Sequence, residues 1–228
     1  MDFAEGAVLC FNKPYGWTSF DLVRKVRNLL TRQMHLKKLK VGHAGTLDPL
    51  ATGVLVVCTG SFTKKIDELQ CQEKEYIATI EAGRTTPSFD LEKETDAVYP
   101  FEHITREKVM EVIQDFIGES DQIPPVFSAK KMAGKRAYEL ARKGTSVEME
   151  ARRINISEIE LLKFELPEIV LRIRCSKGTY IRSLARDLGI ALESGGCLIG
   201  LQRTASGDFR IENAINMKDF EEYIKSLN

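Results

Sequence analysis

Val41-Gly42-His43-Ala44-Gly45-Thr46-Leu47-Asp48-Pro49-Leu50-Ala51-Thr52-Gly53 runs directly into the apolar Val54-Leu55-Val56-Val57-Cys58. Gly42, Gly45 and Gly53 tolerate positive φ or the close approach of another backbone, so the first part reads as a glycine-rich loop. Pro49 fixes its own φ and pushes Asp48 out of the α region, which holds that carboxylate on a stiff, extended stalk. The apolar residues that follow predict a buried strand. Ahead of Asp48 the loop offers one imidazole, His43, and no second carboxylate, cysteine or lysine, so it suggests neither a metal site nor a Schiff base. Taken alone, an aspartate before proline reads first as a turn aspartate bonded to its own backbone.

Outward from this stretch, 228 residues of 43% hydrophobic composition suffice for a sizeable core, as one large domain or a domain with a small subdomain. No apolar run approaches the roughly 20 residues of a membrane span. The start, Met1-Asp2-Phe3-Ala4-Glu5-Gly6, lacks the basic and apolar pattern of a signal peptide, so a cytoplasmic protein is expected. Cys10, Cys58, Cys71, Cys175 and Cys197 contain no C-x-x-C and read as reduced residues, neither a disulfide framework nor a zinc site. The net charge of zero hides a segregation. Residues 1–65 carry 10 Lys/Arg against 4 Asp/Glu, 66–125 carry 5 against 15, 126–186 carry 14 against 7, and 187–228 carry 4 against 7. Two basic blocks flank an acidic one; brought together they would form a cationic face for phosphates, while the same pattern also arises as solvated surface.

Along the chain, Ala7–Phe11 predicts a strand running into the turn at Lys13-Pro14-Tyr15-Gly16. Thr18 or Ser19 caps a helix with Leu22, Val23, Val26, Leu29 and Leu30 on one face and Arg24, Lys25, Arg27 and Arg32 on the other. The basic connection His35–Lys40 then enters the focal loop, where its lysines are placed for phosphate contacts. Ser61 or Thr63 is expected to cap a short helix through Leu69. Lys74–Glu81 alternates as a strand with Tyr76, Ala78 and Ile80 on one side. Thr105 caps an amphipathic helix through Phe116, with Gly118 as terminator. Residues 146–175 predict three strands, the last Ile169–Cys175. Thr179 should cap a helix whose first turn carries Arg182, a cation that at this end of the dipole wants a carboxylate, Asp48 or Asp90. A strand from Gly196 and a helix from about Asn216 end the pattern.

Several strings together resemble the TruB family of tRNA pseudouridine synthases: Gly42–Leu55, Gly83–Asp90, Ile123–Lys130, Gly134–Gly144, Cys175–Leu184, and Leu201-x-Arg203-x-x-x-Gly207. The likeness runs from Ala7 to about Gly207. It implies an α+β fold, a single pseudouridine-synthase-type domain over residues 1–228 with a central mixed, largely antiparallel sheet flanked by helices. It also implies isomerisation of the uridine at position 55 of the tRNA T-loop, with base flipping. The roles carried over are Asp48 as nucleophile or base, Tyr76 packing on the reacting base, Arg182 paired with the aspartate, and Asp90 orienting that arginine. His43 fills the stack left by the flipped nucleotide, Leu201 walls the base pocket, and Lys130 lies in a segment gripping RNA backbone. For His43 a turn histidine held by backbone is the plain alternative, and for Leu201 and Tyr76 a core side chain. No cofactor and no metal are implied, and the expected partner is the T-stem-loop of tRNA, bound by a monomer with no required protein partner and no membrane. Many bacterial members continue into a C-terminal PUA domain, and the roughly 20 residues after Gly207 are too few for one. The alternative function is a non-catalytic RNA-binding or tRNA-folding protein on the same scaffold, for which Asp48 would be dispensable.

Overall fold

A computed structural model describes residues 2–126, 131–132, 135–136 and 149–227. Lys130 and the segment 137–144 lie outside the described residues. The fold is α+β with a mixed, mostly antiparallel sheet, and the chain divides into two compact units, one holding residues up to Ile77 and from Leu201 onward, the other Ala78–Gly200.

The first unit opens with β1 (Val8–Lys13), α1 (Ser19–Gln33), β2 (Val41–His43) and β3 (Ala51–Thr59). β1 and β2 each run antiparallel to β3. The apolar run in β3 is continuous because both of its faces are covered. Leu55 and Val57 join Phe11, Leu22, Val26 and Phe220 in one cluster, and Val54 and Val56 pack with Ala44 in another. Thr18 is the cap of α1, in a reciprocal capping box with Asp21. A 3-10 helix (Gly60–Lys65) and α2 (Ile66–Cys71) follow. Neither Ser61 nor Thr63 caps them, contrary to expectation: their hydroxyls donate to the carbonyls of Glu5 (2.7 Å) and Gly60 (2.8 Å).

In β4 (Lys74–Ala82), which leads into the second unit, burial alternates strictly, as the sequence predicts. The second unit holds the pair β5 (Arg84–Thr85) and β6 (Ala97–Val98), then α3 (Arg106–Val112) and β7 (Gly118–Gln122). Thr105 caps α3, whose last turn tightens to a 3-10 helix (Ile113–Phe116). The short pair β8 (Lys131–Met132) and β9 (Lys135–Arg136) precedes β10 (Arg152–Glu165) and β11 (Glu168–Cys175). Where three strands were expected over 146–175, the described residues form two. The 14-residue β10 contains two register shifts, at Ile156/Glu158 and Leu161/Lys163, which interrupt its alternation and make one strand read as two. After α4 (Ile181–Ala191) comes β12 (Gly196–Ser206), which re-enters the first unit, pairs with β3 in parallel and is followed by β13 (Phe209–Arg210) and α5 (Met217–Ser226). Phe220 of α5 seals the first unit edge-on against Phe11, centroids 5.0 Å apart.

Candidate active site

The loop carrying Asp48 hangs between β2 and β3, and three side chains from distant positions fix it. Ser19, at the start of α1, accepts from the Leu47 amide (2.8 Å) and donates to the Leu47 carbonyl (3.1 Å), pinning the residue before Asp48 on both polar groups. Lys13 ends β1, is 0% exposed, and directs its ammonium to the carbonyls of Trp17 (2.6 Å), Pro14 (3.1 Å) and Pro49 (3.5 Å). Arg203, 1% exposed on β12, donates to Val54 (2.6 Å), Gly45 (3.2 Å) and Thr46 (3.5 Å) carbonyls. Strand register explains the convergence: Lys13 pairs with Gly53 across β1 and β3, and Gly53 pairs with Arg203 across β3 and β12. Gly53, at φ 102, is required there, since a Cβ would collide with the Arg203 backbone.

Two buried cations therefore stand under one loop. Burial pushes the Lys13 ammonium down to about 8; attraction to Asp48 opposes this, repulsion from Arg203 adds to it, and attraction to Asp21 opposes it again. Asp48 itself is half-buried and lies outside helix and strand, followed by a turn in which the Ala51 amide donates to its carbonyl (3.1 Å). His43 is the last residue of β2; burial lowers its pKa, a Gly45 backbone hydrogen bond opposes this, and Arg203 lowers it further, so the ring is neutral at pH 7. Leu201 is half-buried on β12 in register with Ala51, just where the loop ends. Tyr76 is 8% exposed on β4, in the inward series of that strand.

The second unit holds Arg182 and Asp90. Arg182 projects from the first turn of α4, and the N-cap is Tyr180 rather than the expected Thr179, whose hydroxyl donates to Ser176 (3.0 Å). The Gln122 amide replaces a side-chain cap: it accepts from the Tyr180 N–H (2.8 Å) and donates to the Tyr180 carbonyl (3.1 Å). Arg182 and Asp90, 4% and 5% exposed, form an ion pair at 3.5 Å, and Arg182 also donates to the Ser88 carbonyl (3.2 Å). The Asp90 loop is held by Thr86, which donates to the Asp90 carbonyl (2.7 Å), and by Phe89 at φ 63, whose ring lies under Arg186. Because the pair is buried, Arg182→Ala should strand a carboxylate and cost about 3–5 kcal/mol of stability in urea unfolding, with the Arg182→Ala/Asp90→Ala double variant distinctly less destabilised. A loss in the double variant equal to the sum of the Arg182→Ala and Asp90→Ala losses would show that the pair is not energetically coupled.

Lys13, Ser19 and Arg203 carry the loop, and none stood out as a site residue in the sequence. The only local signal was the arginine two places after Leu201. No group of three His, Cys, Asp or Glu residues suited to a metal ion occurs among the described residues, and no described helix is long and apolar enough to cross a membrane.

Residues 32–181 match the profile of the TruB family pseudouridylate synthase N-terminal domain, and residues 182–227 that of the tRNA pseudouridylate synthase B C-terminal domain. The chain is 60% identical over 225 residues to a tRNA pseudouridine synthase B of Parabacteroides distasonis, covering 99% of this chain and 96% of the relative. It is 61% identical over 224 residues to the protein of the same name from Phocaeicola vulgatus, covering 98% and 95%. Among solved structures, a Cbf5-Nop10-Gar1 complex contains a chain similar at TM-score 0.72 and 29% identity, over 97% of this chain and 55% of that one.

Proposed function

The chain belongs to the TruB family of pseudouridylate synthases, and from that premise we propose that it is a tRNA pseudouridine synthase acting on the uridine at position 55 of the T-loop. The observation that carries this reading is the half-buried Asp48 carboxylate on a loop immobilised by Ser19, Lys13 and Arg203. The near full-length likeness to relatives named tRNA pseudouridine synthase B supports it. Uridine isomerisation breaks the C1′–N1 bond, turns the base, forms C1′–C5 and moves the C5 proton's equivalent to N1, with no net redox change. A carboxylate that attacks C1′, or removes the C2′ proton to give a glycal, suffices to start it.

In this proposal Asp48 does that work, Arg182 keeps the reacting carboxylate ionised with Asp90 bracing it, and Tyr76 packs on the uracil. Leu201 closes the apolar side of the base, Lys130 contacts RNA backbone, and His43 fills the space left when the nucleotide leaves its stack. Flipping costs a few kcal/mol, which the RNA contacts must offset. We assign residues 1–228 together to catalysis by a cytoplasmic monomer on the T-stem-loop, needing no cofactor. To test this, an unmodified tRNA transcript is incubated with the protein and pseudouridine is mapped by carbodiimide adduct and primer extension. A new stop at position 55 alone is expected. A stop elsewhere would reassign the substrate, and no stop would leave a non-catalytic RNA-binding or tRNA-folding protein.

A further inference from the structure

Between Asp21 and Asp48 the chain has no carboxylate and seven lysines and arginines. Those on the first half of α1 are neutralised: Arg24 pairs with Asp21 (2.8 Å) and Lys25 with Glu221 (3.0 Å). Those further on are not. The loop after α1 is held down by its apolar residues, with Leu39 buried and Leu36 packed on the core of the first unit, so Lys37, Lys38 and Lys40 are left exposed. Its backbone is fixed on both sides, as Arg27 donates to the Val41 carbonyl (2.9 Å) and the Gly60 amide to the Lys40 carbonyl (2.9 Å).

The result is a cleft of about 640 Å³ between α1 and the 3-10 helix, lined by Arg27, Thr31, Lys37, Lys38, Lys40 and Thr63 among others, with no acidic residue in its wall. Among the described residues none of its four cations forms an ion pair. Four clustered cations without a counter-charge create a positive potential that attracts a polyanion to the cleft. Part of its wall is Val41 and Gly42 of β2, the two residues that precede His43 in the chain.

Resting on the tRNA reading above, we infer that this cleft is a phosphate-binding groove for the sugar-phosphate backbone of the RNA substrate outside the reacting nucleotide. Its contribution is sequence-independent grip, delivered by charge and released by salt. The fixed loop makes the groove a formed surface rather than three independent side chains.

The test compares wild type with Lys37→Ala/Lys38→Ala/Lys40→Ala by filter binding of an unmodified tRNA transcript from about 50 to 300 mM KCl. The slope of log affinity against log salt should fall in magnitude by about three, with affinity at low salt reduced about tenfold or more. The triple Lys→Arg variant should keep the wild-type slope, and Lys225→Ala, on α5, should change nothing. Thermal melts should be unchanged, and the activity lost by the alanine variant should return as tRNA is raised, a KM effect. If the wild type isomerises tRNA and the alanine variant binds with the same affinity and slope, the groove is overturned. If the wild type makes no pseudouridine but the slope still falls, the groove stands and the enzyme reading fails.

Discussion

Asp48→Asn is expected to abolish pseudouridine formation, by at least about 10³-fold or roughly 4 kcal/mol of transition-state stabilisation, while leaving tRNA affinity within a few-fold of wild type. The substitution keeps the shape of the side chain and its capacity for hydrogen bonds. It removes the negative charge and the nucleophilic or basic oxygen that either route to C1′–N1 cleavage requires. The backbone supports of the loop at Gly45, Thr46, Leu47 and Pro49 stay in place in this variant. One further consequence is electrostatic. Asp48 is the largest attraction on the Lys13 ammonium, so its loss should lower the Lys13 pKa below about 8. Single-turnover assays with the protein in excess over tRNA, beside filter binding, separate the two quantities. Undiminished turnover in the asparagine variant would remove Asp48 from the chemistry.

Arg203→Met should lower stability by about 2–4 kcal/mol, a fall of roughly 4–16 °C in melting temperature for a chain of this size. Methionine fills much of the volume but leaves the Val54, Gly45 and Thr46 carbonyls without their guanidinium donors. Relief of the arginine's own desolvation offsets part of the cost, which keeps the estimate moderate. At temperatures where the variant stays folded, turnover should still fall about 10²-fold, since a loop displaced by the order of 1 Å no longer presents its carboxylate correctly. Arg203→Lys keeps the charge but not the fork that reaches three acceptors, so its stability should be intermediate and its turnover closer to that of Met. A KM-against-kcat split locates the role. A positioning residue loses kcat with tRNA affinity intact, whereas parallel loss of both, or a variant that melts and turns over normally, would sink the assignment.

Much of the fold was legible because its signals are short-range. The reciprocal cap joins Thr18 and Asp21, the α1 stripe repeats every three or four residues, β4 alternates over nine residues, and β3 is marked by an unbroken apolar run. Where the reading failed, a partner from far along the chain had intervened. Thr179 is locally a good cap, but Gln122, 58 residues earlier, takes the backbone groups of Tyr180. Ser61 looks like a cap and bonds instead to Glu5, and β10 reads as two strands because its register shifts break the alternation.

The amino-acid string alone marked out the groups proposed for the chemistry: a carboxylate held extended by the proline after it, an imidazole just ahead, and an arginine at a helix start that wants a carboxylate. Those follow from backbone restriction and charge within a few residues. Tertiary structure alone decided what makes the loop rigid. Lys13 and Arg203, 190 positions apart, meet the same loop because both pair with Gly53 through β1, β3 and β12. Pairing register carries that information: a slip of one residue would turn each side chain to the opposite face of the sheet, and only burial of the two faces of β3 selects the register that is formed.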